Sequence, residues 1–300
     1  MTPLAGQASP RVPIGARIGS IIELAKFRLS ALAVFAVVAG IYLGTRGDPD
    51  LGLVLYVTAG TFLIAVGGNA LNMWIEREHD RQMVRTADRP LPSGRLSPPV
   101  VLGFGIACAV VGVAIMAWVT NVTATVLAAS IFVLYVGAYT PLKRVTSLNT
   151  IVGAVPGALP PVVGYAAAGH ALDRGAMVLF LILFFWQIPH FLAIAWRYRE
   201  DYARGGMKML PVVDPDGRST AQQMLLYTAA LVFASIMPYG IRMVGQAYLG
   251  VAVCLNVLFF VIVAIAAIWR MDTAMRQTFL VSIIYLPILF AVMVLDRTML

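Results

Sequence analysis

The fold is decided where an apolar run ends and the chain continues as Asn69-Ala-Leu-Asn-Met-Trp-Ile-Glu-Arg-Glu-His-Asp-Arg-Gln-Met-Val-Arg-Thr-Ala-Asp-Arg-Pro-Leu-Pro92. On a helix, Asn72, Glu76 and Asp80 follow at intervals of four residues, so each lies about 40° around the axis and about 6 Å along it from the one before. One helix face then carries an amide and two carboxylates. The segment also contains four arginines, a mixture of charges that membrane burial does not explain.

These oxygen-bearing side chains suit a hard divalent cation. Mg²⁺ is usually held by one or two protein carboxylates, with water and substrate phosphates as its other ligands. We therefore predict that Glu76 and Asp80 bind Mg²⁺ and that Asn72 takes part in the same site. A solvated helix end with salt bridges explains the acids as well, and it stays open as the alternative at this point.

The composition is that of a polytopic membrane protein. Of the 300 residues, 60% are hydrophobic and 12% are charged, whereas a soluble domain has about 25% charged residues. Nine apolar runs have close to the roughly 20 residues that cross a bilayer as a helix, and their continuity excludes a closed barrel. We predict an all-α membrane bundle of nine transmembrane helices. The nine runs are residues 25–44, 53–75, 99–119, 122–139, 148–168, 176–196, 221–240, 247–269 and 278–296.

Lysine and arginine fall mainly on one side of this bundle. Eighteen of the 22 lie on the side of the N-terminus, and the opposite side has only Arg46, Arg174, Arg242 and Arg297. This bias predicts a cytoplasmic N-terminus, an external C-terminus and a site that opens at the cytoplasmic face of the bacterial inner membrane. The net charge of +8 then reflects orientation and affinity for headgroups of the lipid bilayer, so we expect no nucleic-acid partner.

A second polar segment joins spans four and five on the same side. It reads Tyr139-Thr-Pro-Leu-Lys-Arg144. If it leans over the acidic helix end, Tyr139, Lys143 and Arg144 supply donors to phosphate groups that a bound metal would hold. Anchoring at lipid headgroups explains the two cations but not the tyrosine.

A third polar segment follows span six and reads Arg197-Tyr-Arg-Glu-Asp-Tyr-Ala-Arg-Gly-Gly206. Glu200 and Asp201 form a second acidic helix end here, as Glu76 and Asp80 do after span two. Both acidic ends open onto an apolar bundle from the same predicted face.

Two features of the spans indicate a pocket within the bundle. The fifth span contains three prolines and three glycines between Gly153 and Gly164, so we expect it to be kinked or locally unwound, which membranes tolerate where a helix lines a cavity or is buried in protein. His190, directly after Pro189 in span six, is the one histidine at membrane depth. An intramembrane histidine is a functional candidate, and a histidine that only packs between helices is the alternative.

Together these features suit a substrate with two unlike ends. A diphosphate group binds a metal ion and arginines, whereas an isoprenoid chain binds a hydrocarbon environment. The metal and the cations would stabilise departing pyrophosphate while a carbocation develops on the chain. The pattern thus indicates a prenyl diphosphate.

At this point the sequence resembles the UbiA-type intramembrane prenyltransferases, and within them the branch that farnesylates protohaem IX. The resemblance covers about residues 20 to 295 and is specific because several motifs occur together. They are Asn72 to Asp80, Met83, Arg85-Thr86, Arg89-Pro-Leu-Pro92, Tyr139 to Arg144, the Gly/Pro run from Gly153 to Gly164, Trp186 to Phe191, Asp201-Tyr202, Gly205-Gly206 and Met209-Leu-Pro211.

The resemblance implies transfer of farnesyl from farnesyl diphosphate to a vinyl group of haem b, giving haem O. It implies Mg²⁺ as cofactor, and haem A synthase or a terminal oxidase as candidate assembly partners. Its implied catalytic residues are Asn72, Glu76, Asp80 and Asp201, with Glu76, Asp80 and Asp201 as metal ligands. Its implied substrate contacts are Arg85, Tyr139, Lys143, Arg144, His190 and Arg199. In domain terms, residues 1–17 would be a flexible cytoplasmic tail and 18–300 a single transmembrane prenyltransferase domain.

Two departures from the family pattern bear on these expectations. Arg197 stands where the wider family has an acid, which makes a second metal less secure, and the usual Lys-Pro-Arg reads Lys26-Phe27-Arg28. We expect Lys26 and Arg28 to anchor the first span at lipid headgroups. The runner-up function is prenylation of an aromatic acid or quinone precursor. A secondary transporter is the alternative from another class, although transporters place their polar sites near the midplane.

Overall fold

The computed structural model describes residues 14–45 and 47–298, except for the side chains of residues 14–18, 28 and 29. Residues 1–13 of the predicted tail, residues 1–17, lie outside the described residues. A helix begins at Ile14. Within the described ranges the chain forms twelve helices and no β-sheet. They are α1 (Ile14–Leu24), α2 (Phe27–Gly44), α3 (Leu51–Asp80), α4 (Pro98–Val119), α5 (Val122–Leu142), α6 (Asn149–Ala167), α7 (Arg174–Arg197), α8 (Arg199–Arg204), α9 (Leu210–Val213), α10 (Arg218–Gly240), α11 (Gln246–Trp269) and α12 (Asp272–Leu295).

The prediction of an all-α membrane bundle is confirmed. Eight described helices are long and apolar enough to cross a membrane, namely α3 to α7 and α10 to α12. The first predicted span corresponds to α2, whose apolar part, Ser30–Gly44, is shorter than these eight. The number nine therefore stays a prediction.

Close packing of α3 on α4, and of α2 on α6, depends on glycines. A Cβ atom at Gly67 would lie 2.6 Å from the carbonyl oxygen of Gly105, and one at Gly112 would lie 2.6 Å from the carbonyl oxygen of Gly60. Small residues let helix backbones approach in this way, which replaces the hydrophobic driving force that lipid removes.

The Gly/Pro-rich fifth span is interrupted, as its sequence indicates. α6 consists of Asn149–Ala158 and Pro160–Ala167, with Leu159 between them outside helical structure. The preceding helix α5 contains a π-helical stretch, Leu134–Tyr139, and such insertions are frequent at functional sites. These two irregular helices form part of the wall of a cavity within the bundle.

The helices α10 to α12 pack with α7 into the largest buried apolar cluster. Buried polar groups there are hydrogen-bonded to one another. Asn256 donates to Ser235 Oγ at 2.8 Å and accepts from the Tyr285 hydroxyl at 2.7 Å. A fully bonded polar network fixes the relative position of helices, because leaving any member unbonded in the bundle interior would cost free energy.

The helix α3 carries the acidic motif beyond the membrane core. Its 30 residues span about 45 Å, whereas the hydrocarbon core of a bilayer is about 30 Å thick. Glu76 and Asp80 lie in its last two turns, so they lie toward one membrane face while α3 remains continuous with the bundle.

Candidate active site

One cavity of about 390 Å³ joins the polar and the apolar parts of the bundle. Its polar end is lined by ionisable and amide side chains, and its deeper end by aliphatic and aromatic ones. The polar residues include Lys26, Asn72, Glu76, Asp80, Arg85, Arg89, Tyr139 and Lys143. The apolar residues include Ile64, Phe132, Leu183, Trp186, Phe191 and Leu286.

Asn72, Glu76 and Asp80 lie on the cavity wall together, and all three are buried. Their shared helix face follows from the four-residue spacing. Asn72 donates from its amide to Thr140 Oγ1 at 3.1 Å, so the first motif is joined to the segment that follows the π-helical stretch.

Each buried carboxylate of this motif has a cationic partner from another segment. Lys143 Nζ lies 2.9 Å from Glu76 Oε1, and Arg89 Nη1 lies 3.0 and 2.8 Å from the two carboxylate oxygens of Asp80. Burial would lower the pKa of Lys143, but the Glu76 carboxylate outweighs burial and holds that pKa above its usual value. Such pairing is what permits charged groups to be buried.

Lys26, which by its sequence position we expect to anchor the first span at lipid headgroups, lines the cavity instead. It is half-buried in the left-handed conformation (φ 44°) between α1 and α2, and it lines the polar end. Burial lowers the pKa of Lys26 to about 7, and the charges of Arg89 and Lys143 add to this effect. When Lys26 is charged, this end of the cavity has four cations and two carboxylates. The cations are Lys26, Arg85, Arg89 and Lys143, and the carboxylates are Glu76 and Asp80. The surplus of positive charge favours an anionic ligand.

Arg85 lines the cavity from a loop whose backbone is hydrogen-bonded to Asp201. The carboxylate of Asp201 accepts hydrogen bonds from the backbone N–H groups of Val84 at 2.8 Å and Arg85 at 3.2 Å, and it pairs with Arg204 at 2.8 Å. Burial would raise the pKa of Asp201, but Arg204 and the two N–H groups together lower it. Asp201 does not line the cavity, so its predicted role as a metal ligand stays a prediction.

Two other predicted contacts also lie off the cavity wall. Arg144 is 3.1 Å from His79 Nε2, and His79 Nδ1 is 2.9 Å from the carbonyl oxygen of Gly205. This arrangement requires the tautomer in which Nδ1 carries the proton. Arg199 pairs with Asp272 at 3.0 Å. Both arginines connect segments at this end of the bundle to each other.

His190 lies at the deep, apolar end of the cavity. Its Nδ1 is 2.7 Å from Ser282 Oγ. Its ring packs on those of Trp186 and Phe279, with centroids 4.9 and 5.1 Å away. No described residue is hydrogen-bonded to Nε2, which leaves that nitrogen for a molecule in the cavity.

The donor set fits one Mg²⁺ that arrives with a phosphate-bearing substrate. In the described ranges, no three His, Cys, Asp or Glu residues are grouped as they would be in a preformed metal site. Glu76 and Asp80 nevertheless supply the one or two carboxylates that Mg²⁺ needs when substrate phosphates complete its coordination. Arg89, which the sequence does not single out as a site residue, is the cation paired with Asp80.

The UbiA prenyltransferase family matches residues 33–290. The chain belongs to that family. This membership confirms the resemblance and makes the chain an integral membrane protein of a prenyltransferase family.

Family members similar to this chain include two bacterial proteins named protoheme IX farnesyltransferase. The one from Solibacter usitatus (strain Ellin6076) is 44% identical over 285 residues, which is 92% of this chain and 98% of that protein. The one from Koribacter versatilis (strain Ellin345) is 40% identical over 305 residues, 97% of each chain. Among solved structures, a UbiA homolog from Archaeoglobus fulgidus bound to GPP and Mg²⁺ has the same fold, with a TM-score of 0.64, 16% identity and coverage of 91% of this chain and 99% of that one.

Proposed function

We propose that this chain transfers a farnesyl group from farnesyl diphosphate to a vinyl group of haem b, giving haem O and pyrophosphate. One observation carries the proposal: a single cavity joins a cation-rich end containing two carboxylates to an apolar end containing aromatic rings. The family supports the prenyl transfer, and the names of the two bacterial relatives support the acceptor.

In this proposal Glu76 and Asp80 hold Mg²⁺, with Asn72 beside them, and the ion neutralises charge on the diphosphate. The carboxylates now pair with Lys143 and Arg89. When substrate binds, Lys143 and Arg89 would turn from these carboxylates to phosphate oxygens. Lys26 and Arg85 line the same end of the cavity and add two further positive charges.

The residues of each end then serve a different part of the reaction. As the carbon–oxygen bond of farnesyl diphosphate breaks, negative charge grows on pyrophosphate, and the cations stabilise it. The apolar wall excludes water from the farnesyl cation until the vinyl π electrons of haem b attack it. Phe132, Trp186 and Phe191 line this wall, and the faces of aromatic rings attract cations. One water then adds to the resulting carbocation and releases a proton, leaving a hydroxyl group.

His190 is proposed to contact the acceptor. It lies on the apolar side of the cavity, and Ser282 fixes its Nδ1. A neutral imidazole nitrogen in this position is suited to ligating iron or bonding a polar edge of haem. Asp201, Arg144 and Arg199 would act by holding the segments around the cavity.

Several finer features belong to the same proposal. They are nine spans, one domain over residues 18–300, location in the bacterial inner membrane with a cytoplasmic N-terminus, and haem A synthase or a terminal oxidase as assembly partners. The bias of lysine and arginine supports the orientation. A reporter fused after Lys208 should therefore be cytoplasmic and one after Leu300 external. A cytoplasmic C-terminus would contradict both the orientation and the count of nine.

The experiment that tests the proposed function uses purified protein in lipid vesicles with farnesyl diphosphate and haem b. Haem O and pyrophosphate should form with Mg²⁺, and EDTA should stop both. Full turnover in metal-free vesicles would contradict the metal role. Pyrophosphate release that depends on an aromatic acid and not on haem b would favour the runner-up acceptor.

A further inference from the structure

A second cavity of about 600 Å³ lies at the other end of the bundle. Its wall includes Arg174, the first residue of α7, whereas the last residue of that helix, Arg197, lies toward the active-site end. The 24 residues of α7 span about 36 Å. The second cavity therefore opens at the membrane face opposite the candidate active site.

The charge on this wall differs from that of the surrounding face. Of the four arginines on this side of the bundle, three line the cavity: Arg174, Arg242 and Arg297. Arg46, the fourth, is outside the described residues. The fold brings these arginines together from three separate places: the start of α7, the α10–α11 connection and the segment after α12.

The only acidic residue on this wall in the described part of the chain is Asp173. Its Oδ1 already accepts from the N–H groups of Gly175 at 2.8 Å and Ala176 at 3.1 Å, as the cap of α7. No described carboxylate forms an ion pair with any of the three arginines. The cavity thus has two positive charges in excess of its acid.

Two of the arginines are held in place by the backbone. Gly245 N–H donates to Asp296 O at 2.8 Å, and Thr298 N–H donates to Met243 O at 3.1 Å. This short antiparallel bridge fixes Arg297 beside the α10–α11 connection. Arg242 in that connection has φ 60°, a left-handed conformation that costs a non-glycine residue free energy and persists only where its surroundings impose it.

Arg297 also has a buried donor without an acceptor. Its Nε atom is buried, and no described residue accepts a hydrogen bond from it, whereas one Nη donates to Val294 O at 2.6 Å. A buried donor without an acceptor is unfavourable, and a rotamer of Arg297 that turns its guanidinium toward an anion in the cavity would relieve this cost. Guanidinium groups match phosphate oxygens in both charge and geometry.

We propose that this cavity binds the phosphate of an anionic phospholipid in the leaflet opposite the candidate active site. Free phosphate has the same charge chemistry, but Leu43, Ile241 and Met243 add apolar surface to the wall, which suits the glycerol and first acyl carbons of a lipid. The inference is independent of the reaction at the other end of the bundle.

The test measures lipid binding to the full chain in detergent by native mass spectrometry and by thermal shift. The probes are phosphatidylglycerol, phosphatidylcholine and inorganic phosphate. The test variant is Arg242→Asn with Arg297→Gln, because asparagine tolerates the left-handed conformation that residue 242 adopts. The matched control is Arg276→Gln with Arg218→Gln, which removes two exposed charges at the other end of the bundle.

Wild type and control should retain phosphatidylglycerol and gain thermal stability from it. The test variant should bind it at least tenfold more weakly, since each arginine near a phosphate changes affinity by about fivefold. Equal phosphatidylglycerol binding by test variant and control would overturn the proposal. Stabilisation by inorganic phosphate alone, or equal binding of phosphatidylcholine, would overturn the lipid assignment. If the double variant fails to fold, Arg174→Gln alone should show a selective loss of phosphatidylglycerol binding of about fivefold.

Discussion

Lys143 Nζ lies 2.9 Å from Glu76 Oε1 inside the cavity, although Glu76 belongs to α3 and Lys143 directly follows α5. Both side chains are largely buried, with 12% and 5% of their area exposed. The pair therefore serves two purposes in our account: it balances charge within the bundle, and it places a cation and a carboxylate where we propose that diphosphate and Mg²⁺ bind.

These two purposes can be separated with paired substitutions. Lys143→Met should lower the free energy of unfolding by about 3–5 kcal/mol, because it leaves the Glu76 carboxylate buried without its cation. Adding Glu76→Gln should recover most of that stability, while farnesyl transfer stays lost in both variants. Thermal unfolding and turnover in the same vesicles provide the two readouts. Near-normal turnover in the double variant would reduce the pair to a structural role.

Metal binding should distinguish Asp80 from Asp201. With Mn²⁺ as the probe and farnesyl thiodiphosphate bound, Asp80→Asn should weaken metal affinity at least tenfold. Asp201→Asn should leave it within about twofold and raise the KM for farnesyl diphosphate, because Asp201 holds the backbone that carries Arg85. Electron paramagnetic resonance measures bound Mn²⁺ directly. An equal loss of Mn²⁺ in both variants would make Asp201 a ligand.

The affinity for farnesyl diphosphate should depend on the charge of Lys26. Its pKa of about 7 means that the free cavity loses this cation as the pH rises above 7. A lysine that contacts phosphate keeps its proton, so binding then requires proton uptake, and affinity should fall by up to about tenfold per pH unit. Isothermal titration between pH 6.5 and 8.5 measures this slope.

Two substitutions serve as controls for that slope. Lys26→Met should bind farnesyl diphosphate weakly, and its affinity should lack this contribution to the pH dependence. Lys26→Arg should bind farnesyl diphosphate tightly and also lack it, since arginine stays charged throughout. Ionisation of the substrate itself contributes equally to all three proteins. The same slope in wild type and Lys26→Met would show that Lys26 takes no part in binding.

The sequence predicted those parts of the fold and site that depend on local periodicity. Apolar runs of membrane-spanning length gave the helical bundle, and the interval of four residues placed Asn72, Glu76 and Asp80 on one face of α3. Prolines and glycines indicated the interruption of α6 at Leu159. Each of these features is set by residues within a few turns of one another.

Contacts between distant segments could not be predicted in this way. Asp201 accepts from the backbone of Val84, 117 positions away, and no side-chain pattern records which backbone N–H group a carboxylate meets. Lys26 was assigned to headgroup anchoring because it opens an apolar span, but the left-handed junction between α1 and α2 places it on the cavity wall. The pairing of Arg89 with Asp80 likewise depends on how the loop after α3 folds back.

The acceptor role of His190 can be tested by kinetics with each substrate varied in turn. His190→Ala should raise the KM for haem b or lower kcat, while the KM for farnesyl diphosphate stays within about twofold, because a residue that touches one substrate affects the other only through coupling. Ser282→Ala keeps the ring but removes its hydrogen bond, and should have a smaller effect in the same direction. A selective rise in the KM for farnesyl diphosphate would rule out this role.

The most direct test of the central claim is the identity of the haem in membranes of cells that express this chain and otherwise contain only haem b. Extracted haems are separated by liquid chromatography and identified by mass spectrometry, with Asp80→Ala at equal protein level as the matched control. Our account predicts haem O with the wild-type chain and only haem b with the variant. Unmodified haem b with both chains, together with a newly prenylated aromatic acid or quinone precursor in the wild type alone, would contradict it.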